Sequence, residues 1–132
     1  MIEVNNLTRT KISEAFLKKV AEMVLKGERD QKKAISVALV SPKRAAELNK
    51  KHRKKDKVAN VLSFSMPEFG LGEVVICPQE VKKEAKKYGM IFEQALAWML
   101  IHGILHLLGY DHVKEGETKR MEQKERMYLS RI

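Results

Sequence analysis

His102-Gly103-Ile104-Leu105-His106-Leu107-Leu108-Gly109-Tyr110-Asp111-His112 holds three of the chain's four histidines. His102 and His106 are four residues apart, which on a helix puts them on one face, one turn above the other. Gly109 follows three residues later; glycine is the usual residue for the left-handed turn that ends a helix. Such a turn swings His112 back toward the first two imidazoles. Three imidazoles converging on one point, with a fourth position left to water, is the layout of a catalytic zinc site. The same stretch closes a long apolar run, Ile91 to Leu108, interrupted by Glu93, Gln94, His102 and His106. That run is too polar for a membrane span and reads as a buried core helix.

The spacing His-x-x-x-His-x-x-Gly-x-x-His is the ligand spacing of the metzincin zinc proteases. A zinc protease carries Glu after the first His as its general base. Gly103 stands there instead and offers no proton-transfer group, so the stretch reads as a zinc site without the peptidase base. The plainer alternative is three ordinary histidines at the end of a buried helix.

Outward from this helix, apolar periodicity alternates between strand and helix. Ile2 to Val4 is a short first strand. Thr10 is placed to cap a helix with Ile12, Phe16, Val20 and Met23 or Val24 on its apolar face, stopping at Gly27. Ala34 to Val40 alternates, with Ile35, Val37 and Leu39 on one side, as a strand does. Ser41-Pro42 opens a helix to about Lys51. Val58 to Phe64 and Glu73 to Cys77 are strands three and four. Pro78 opens a helix that stops near Gly89, and Glu117 to Leu129 is a last, highly charged helix with Glu115/Lys119 at supporting spacing. Strands joined through a helix are expected parallel, with a right-handed crossover; strands three and four, joined by a short connection, antiparallel. The fold expected is α+β, one domain over residues 1–132, with a mixed, roughly four-stranded sheet packed with helices.

The chain has 132 residues, 44% of them hydrophobic, and a formal net charge of +9. Its mean hydropathy is −0.37 and its pI about 9.7. Such a balance suits a soluble domain and favours a polyanionic partner such as nucleic acid. The single cysteine, Cys77, excludes a disulfide framework, fits a cytoplasmic home and reads as a small buried side chain. The N-terminus, Met1-Ile2-Glu3-Val4-Asn5, has no signal-peptide pattern.

The run from His102 to His112 resembles the signature of the YbeY family of bacterial endoribonucleases and ribosomal-RNA maturation factors. Leu48-Asn49 with Arg53 and Asp56, the strand Val61-Leu62-Ser63-Phe64, and Leu71-Gly72-Glu73-Val74-Val75-Ile76-Cys77 are similar to three further stretches of that family, in the same order and at the same spacing. The resemblance implies a mixed, mostly four-stranded sheet and one zinc ion per chain, bound by His102, His106 and His112. It also implies cleavage of single-stranded RNA, maturation of the 16S ribosomal RNA 3′ end on the small subunit, and ribosome quality control. Two positions depart from the family pattern. Ala59-Asn60 stands where Thr-Asp is usual, and Glu73 replaces the usual Asp.

Arg53 matches the family's arginine. A planar guanidinium holds two phosphate oxygens at once and stabilises the charge of a pentacoordinate phosphorus, which makes Arg53 the candidate catalytic residue. Lys50, Lys51, Lys54, Lys55 and Lys57 surround it in what reads as a basic loop. They would form an electrostatic funnel for a phosphate backbone. No aromatics are interleaved with them, so backbone tracking is expected, not base readout. His52 reads as a surface residue, Tyr110 as packing, Asp111 as a brace for a ligand or for the turn, and Glu73 as a strand-end carboxylate near the cleft. The competing function is a non-catalytic ribosome assembly factor with a structural zinc and a basic RNA-binding face.

Overall fold

The computed structural model describes residues 1–53, 60–110 and 115–132. The chain runs β1 (Ile2–Asn6), α1 (Glu14–Gly27), β2 (Ile35–Leu39), α2 (Pro42–Arg53), β3 (Val61–Ser65), β4 (Gly72–Ile76), α3 (Pro78–Tyr88), α4 (Phe92–Leu107) and α5 (Glu115–Leu129), with a 3-10 turn at Pro67–Phe69 between β3 and β4. The four strands form one mixed sheet in the order β1-β2-β4-β3. β1 and β2 are parallel, as expected for strands bridged by a helix, and so are β2 and β4, while β3 runs antiparallel to β4 at the edge.

Strand alternation gives the sheet two apolar faces. Val37, Leu39, Val74 and Ile76 belong to the main core, with Leu17, Val20 and Val24 of α1 and Leu100, Ile101, Ile104 and Leu105 of α4. Ala38, Val40, Leu62, Val75 and Cys77 form a smaller core with Ala45 of α2. α4 is thus a core helix, and fully burying each of its Leu and Ile side chains contributes roughly 1.5–3 kcal/mol.

Several boundaries differ from the sequence expectation for local reasons. α1 is capped by Ser13, whose Oγ accepts the amide of Phe16 at 3.1 Å; Thr10 lies ahead of the helix. Gly27 is inside the last turn of α1, and the left-handed residue beyond it is Arg29, at φ 62°. Gly27 is required by packing instead, since a Cβ there would lie 2.4 Å from the Tyr128 hydroxyl. The basic stretch is not all loop: Lys50, Lys51, His52 and Arg53 continue α2. Lys54, Lys55, Lys57 and the start expected for the third strand at Val58 lie outside the described residues. No single described helix is long and apolar enough to cross a membrane.

Candidate active-site cleft

α4 leaves the core at its C-terminal end, and there its two histidines face a cleft of about 880 Å³. The cleft lies along edge strand β3. It is lined by Ser63 and Phe64 of that strand, Leu48 of α2, Glu73 of β4, and His102 and His106. The rings of His102 and His106 stand 4.7 Å apart at 72°, so the one-turn spacing read from the sequence does bring them together. Helix and sheet are tied directly beneath them. Ser63 Oγ donates to the Gly103 carbonyl at 2.9 Å, a helical carbonyl that would otherwise face only its own turn.

Gly103 is buried against this sheet. A Cβ there would come within 2.6 Å of Val74 Cγ1 and 3.2 Å of Ser63 Oγ. The position that carries the general base in zinc peptidases therefore points into the helix–sheet contact, which accounts for glycine in physical terms.

α4 ends as expected at Gly109, whose φ of 100° is open to glycine at little cost. The Gly109 amide donates to the His106 carbonyl at 3.1 Å and the Tyr110 amide to the Leu105 carbonyl at 3.0 Å, the paired bonds of a Schellman stop. Asp111 and His112, which follow in the sequence, lie outside the described residues. Among the described residues no group of three or more His, Cys, Asp or Glu is arranged to hold a metal. The two described imidazoles do suit a borderline-soft divalent ion, since they share one cleft wall and one is already oriented by a carboxylate.

That carboxylate is Glu125 of α5. Its Oε1 lies 3.0 Å from His102 Nδ1 and accepts the Trp98 indole N–H, also at 3.0 Å. Glu125 is only 7% exposed. The sequence reading passed over it as one acid in a charged helix. The available signal was its place on the buried stripe Met121, Glu125, Tyr128, at i, i+4 and i+7.

Glu28 was missed as well. Just past α1, it accepts the Tyr110 hydroxyl at 2.5 Å, the Lys124 ammonium at 3.1 Å and the Tyr128 hydroxyl. It thereby ties the chain after Gly109 to α1 and α5. Tyr110, expected to be simple packing, is a hydrogen-bond donor with Arg120 over its ring at 5.6 Å. Burial alone would raise the Glu28 pKa. The three hydrogen bonds and the charge of Lys124 together outweigh it, and the carboxyl is held below its usual 4.5. A depressed folded-state pKa adds stability that is present in full above 4.5 and lost as pH falls through the folded value. Glu28→Gln should cost about 1–3 kcal/mol near neutral pH. In thermal melts the gap between parent and variant should narrow steadily below pH 4.5; a gap that widens there would contradict this account.

Glu73 also lines the cleft, with Oε2 accepting Ser36 Oγ at 3.2 Å, so it is a cleft carboxylate held from the neighbouring strand. Lys50 and Lys51 are exposed at the end of α2. Arg53 is the last residue of that helix. Cys77 is buried at the start of α3, and burial pushes its thiol pKa up, consistent with a packing role.

Comparison with known proteins agrees with this arrangement. The family model described as "Endoribonuclease YbeY" matches residues 3–132. Proteins named Endoribonuclease YbeY from Carboxydothermus hydrogenoformans and Aquifex aeolicus are 35% and 38% identical. The alignments span 100% and 96% of this chain and 97% and 88% of those proteins. The solution structure of TM1509 from Thermotoga maritima superposes with a TM-score of 0.70 at 30% identity, over 98% of this chain and 87% of that one. With a matching family model over residues 3–132 and relatives of that name aligned over nearly the whole length, the chain belongs to the YbeY endoribonuclease family.

Proposed function

We propose that this protein is a zinc-dependent, single-strand-specific endoribonuclease. It acts in the cytoplasm on the small ribosomal subunit, in 16S ribosomal RNA 3′-end maturation and in ribosome quality control. The observation that carries this reading is the His102–His106 pair on the wall of an open cleft, in a member of a family named for endoribonuclease activity. His102, His106 and, after the Gly109 turn, His112 would hold one zinc ion. When bound, zinc supplies Lewis acidity and a water activated near neutral pH for phosphodiester hydrolysis.

The protein's own residues do the rest. Lys50 and Lys51, with Lys54, Lys55 and Lys57, draw the phosphate backbone toward the cleft without reading bases. Arg53 clamps the scissile phosphate through its planar fork. Glu73, held by Ser36, is the cleft carboxylate available to take or return a proton.

The test is cleavage of a single-stranded RNA by the full chain, with zinc measured on the same sample. About one zinc per chain is expected, with activity lost to a chelator and restored by zinc. His106→Ala should lose both metal and cleavage. Cleavage indifferent to the chelator, or full zinc occupancy after both His102 and His106 are replaced by Ala, would sink the proposal. An assembly factor with a structural zinc, favoured by the charge of +9 and the absent peptidase base, would bind zinc and RNA yet leave the RNA intact.

A further inference from the structure

We infer that Glu125 is a positioning residue that selects the ring tautomer of His102, presenting Nε2 with its lone pair to the cleft. Glu125 Oε1 sits 3.0 Å from His102 Nδ1. A carboxylate only accepts, so Nδ1 carries the hydrogen, and in the neutral ring Nε2 is then the nitrogen with the lone pair. The same oxygen accepts the Trp98 indole N–H at 3.0 Å, and the indole has no other role in hydrogen bonding than donor. Trp98 lies four residues before His102, on the same side of α4, so one helix face supplies both donors to one carboxylate. Glu125 is nearly enclosed, and Met121 and Tyr128 of the same stripe are fully buried, so the α4–α5 contact holds the carboxylate in place. This arrangement is worth more than packing would require. A buried acid among apolar neighbours is costly, and replacing it by an apolar residue of similar size would be the simpler way to join two helices.

The inference rests on the proposed metal role of His102, and its test separates the two. Long-range proton–nitrogen spectra of the metal-free, nitrogen-15-labelled protein at pH 8 report the His102 tautomer directly. The parent should show a protonated Nδ1 and an unprotonated Nε2. Glu125→Gln keeps an acceptor oxygen and should keep that tautomer. Glu125→Ala should lose the preference.

Zinc affinity, measured by competition with a chromophoric chelator, should fall about 10- to 100-fold in Glu125→Ala, the range found when a partner behind a metal-binding histidine is removed. Glu125→Gln should recover most of that loss. An Nε2-protonated His102 in the parent, or parental zinc affinity in Glu125→Ala, would overturn the inference. If Glu125→Ala does not fold, the parent spectrum and the affinity of Glu125→Gln still decide it. A parent that binds no zinc but shows the Nδ1-protonated ring would refute the metal reading while leaving the Glu125–His102 contact established.

Discussion

Gly103→Glu, which would complete the zinc-peptidase pattern over His102–His106, is expected to destabilise the fold severely without producing peptidase activity. The first added carbon alone would stand 2.6 Å from Val74 Cγ1, and Val74 is fully buried with a stiff, β-branched side chain. Overpacking of this kind costs about 1–3 kcal/mol. The carboxylate would add several kcal/mol more, because it enters a buried helix–sheet contact against Val74. Together these consume much of the roughly 5–15 kcal/mol that holds a domain folded. Gly103→Ala is the milder companion. Its overpacking, about 1–3 kcal/mol, is offset in part by the roughly 1 kcal/mol that alanine gains over glycine inside a helix, for a net loss of about 0–2 kcal/mol. Urea unfolding midpoints of the three proteins give the comparison. A Gly103→Glu protein that melts with the parent would mean that α4 lifts off the sheet freely, and the packing explanation for this glycine would fail.

Arg53→Lys is expected to leave RNA affinity nearly unchanged while slowing cleavage by about 10²–10³-fold, the range seen when one preorganised donor to a developing anion is removed. Lysine keeps the charge and loses the planar, two-pronged fork. Long-range attraction comes from the surrounding lysines and the net charge of +9. Affinity of parent and variant alike should therefore fall log-linearly with salt. Zinc content should not change, since Arg53 is not in the expected ligand set. Single-turnover cleavage of a saturating single-stranded RNA, with metal analysis on the same preparation, makes the measurement. A variant that cleaves at the parent rate would reduce Arg53 to one more cation of the basic stretch.

The legible parts of this protein were those encoded by short-range periodicity. The four-residue spacing of His102 and His106, close to the 3.6-residue helical repeat, placed them on one helix face, and they do line one cleft. Gly109 ended that helix as a glycine with positive φ. Pro42 and Pro78 marked helix starts, and the alternation of Ile35, Val37 and Leu39 marked a strand. Less legible were features with two local solutions. Thr10 and Ser13 both suit a helix cap, and which one serves depends on where the chain leaves β1. Gly27 looks like a stop, but its neighbour Tyr128, a hundred residues away, is what demands it.

The sequence by itself determined the element order, the central apolar helix and the pairing of two histidines upon it, because each rests on contacts within a few residues. Only the tertiary structure decided that β4 inserts between β2 and β3, since strand order depends on which sheet faces α1, α4 and α2 can cover. It alone decided that Gly103 meets Val74, that Glu28 gathers Tyr110, Tyr128 and Lys124, and that Glu125 stands behind His102. Each of these joins residues far apart in the chain, where no periodicity signals the partner. A glutamate on a charged helix looks like solvent-facing charge until the neighbouring helix closes over it and leaves the carboxylate an indole and an imidazole to accept from.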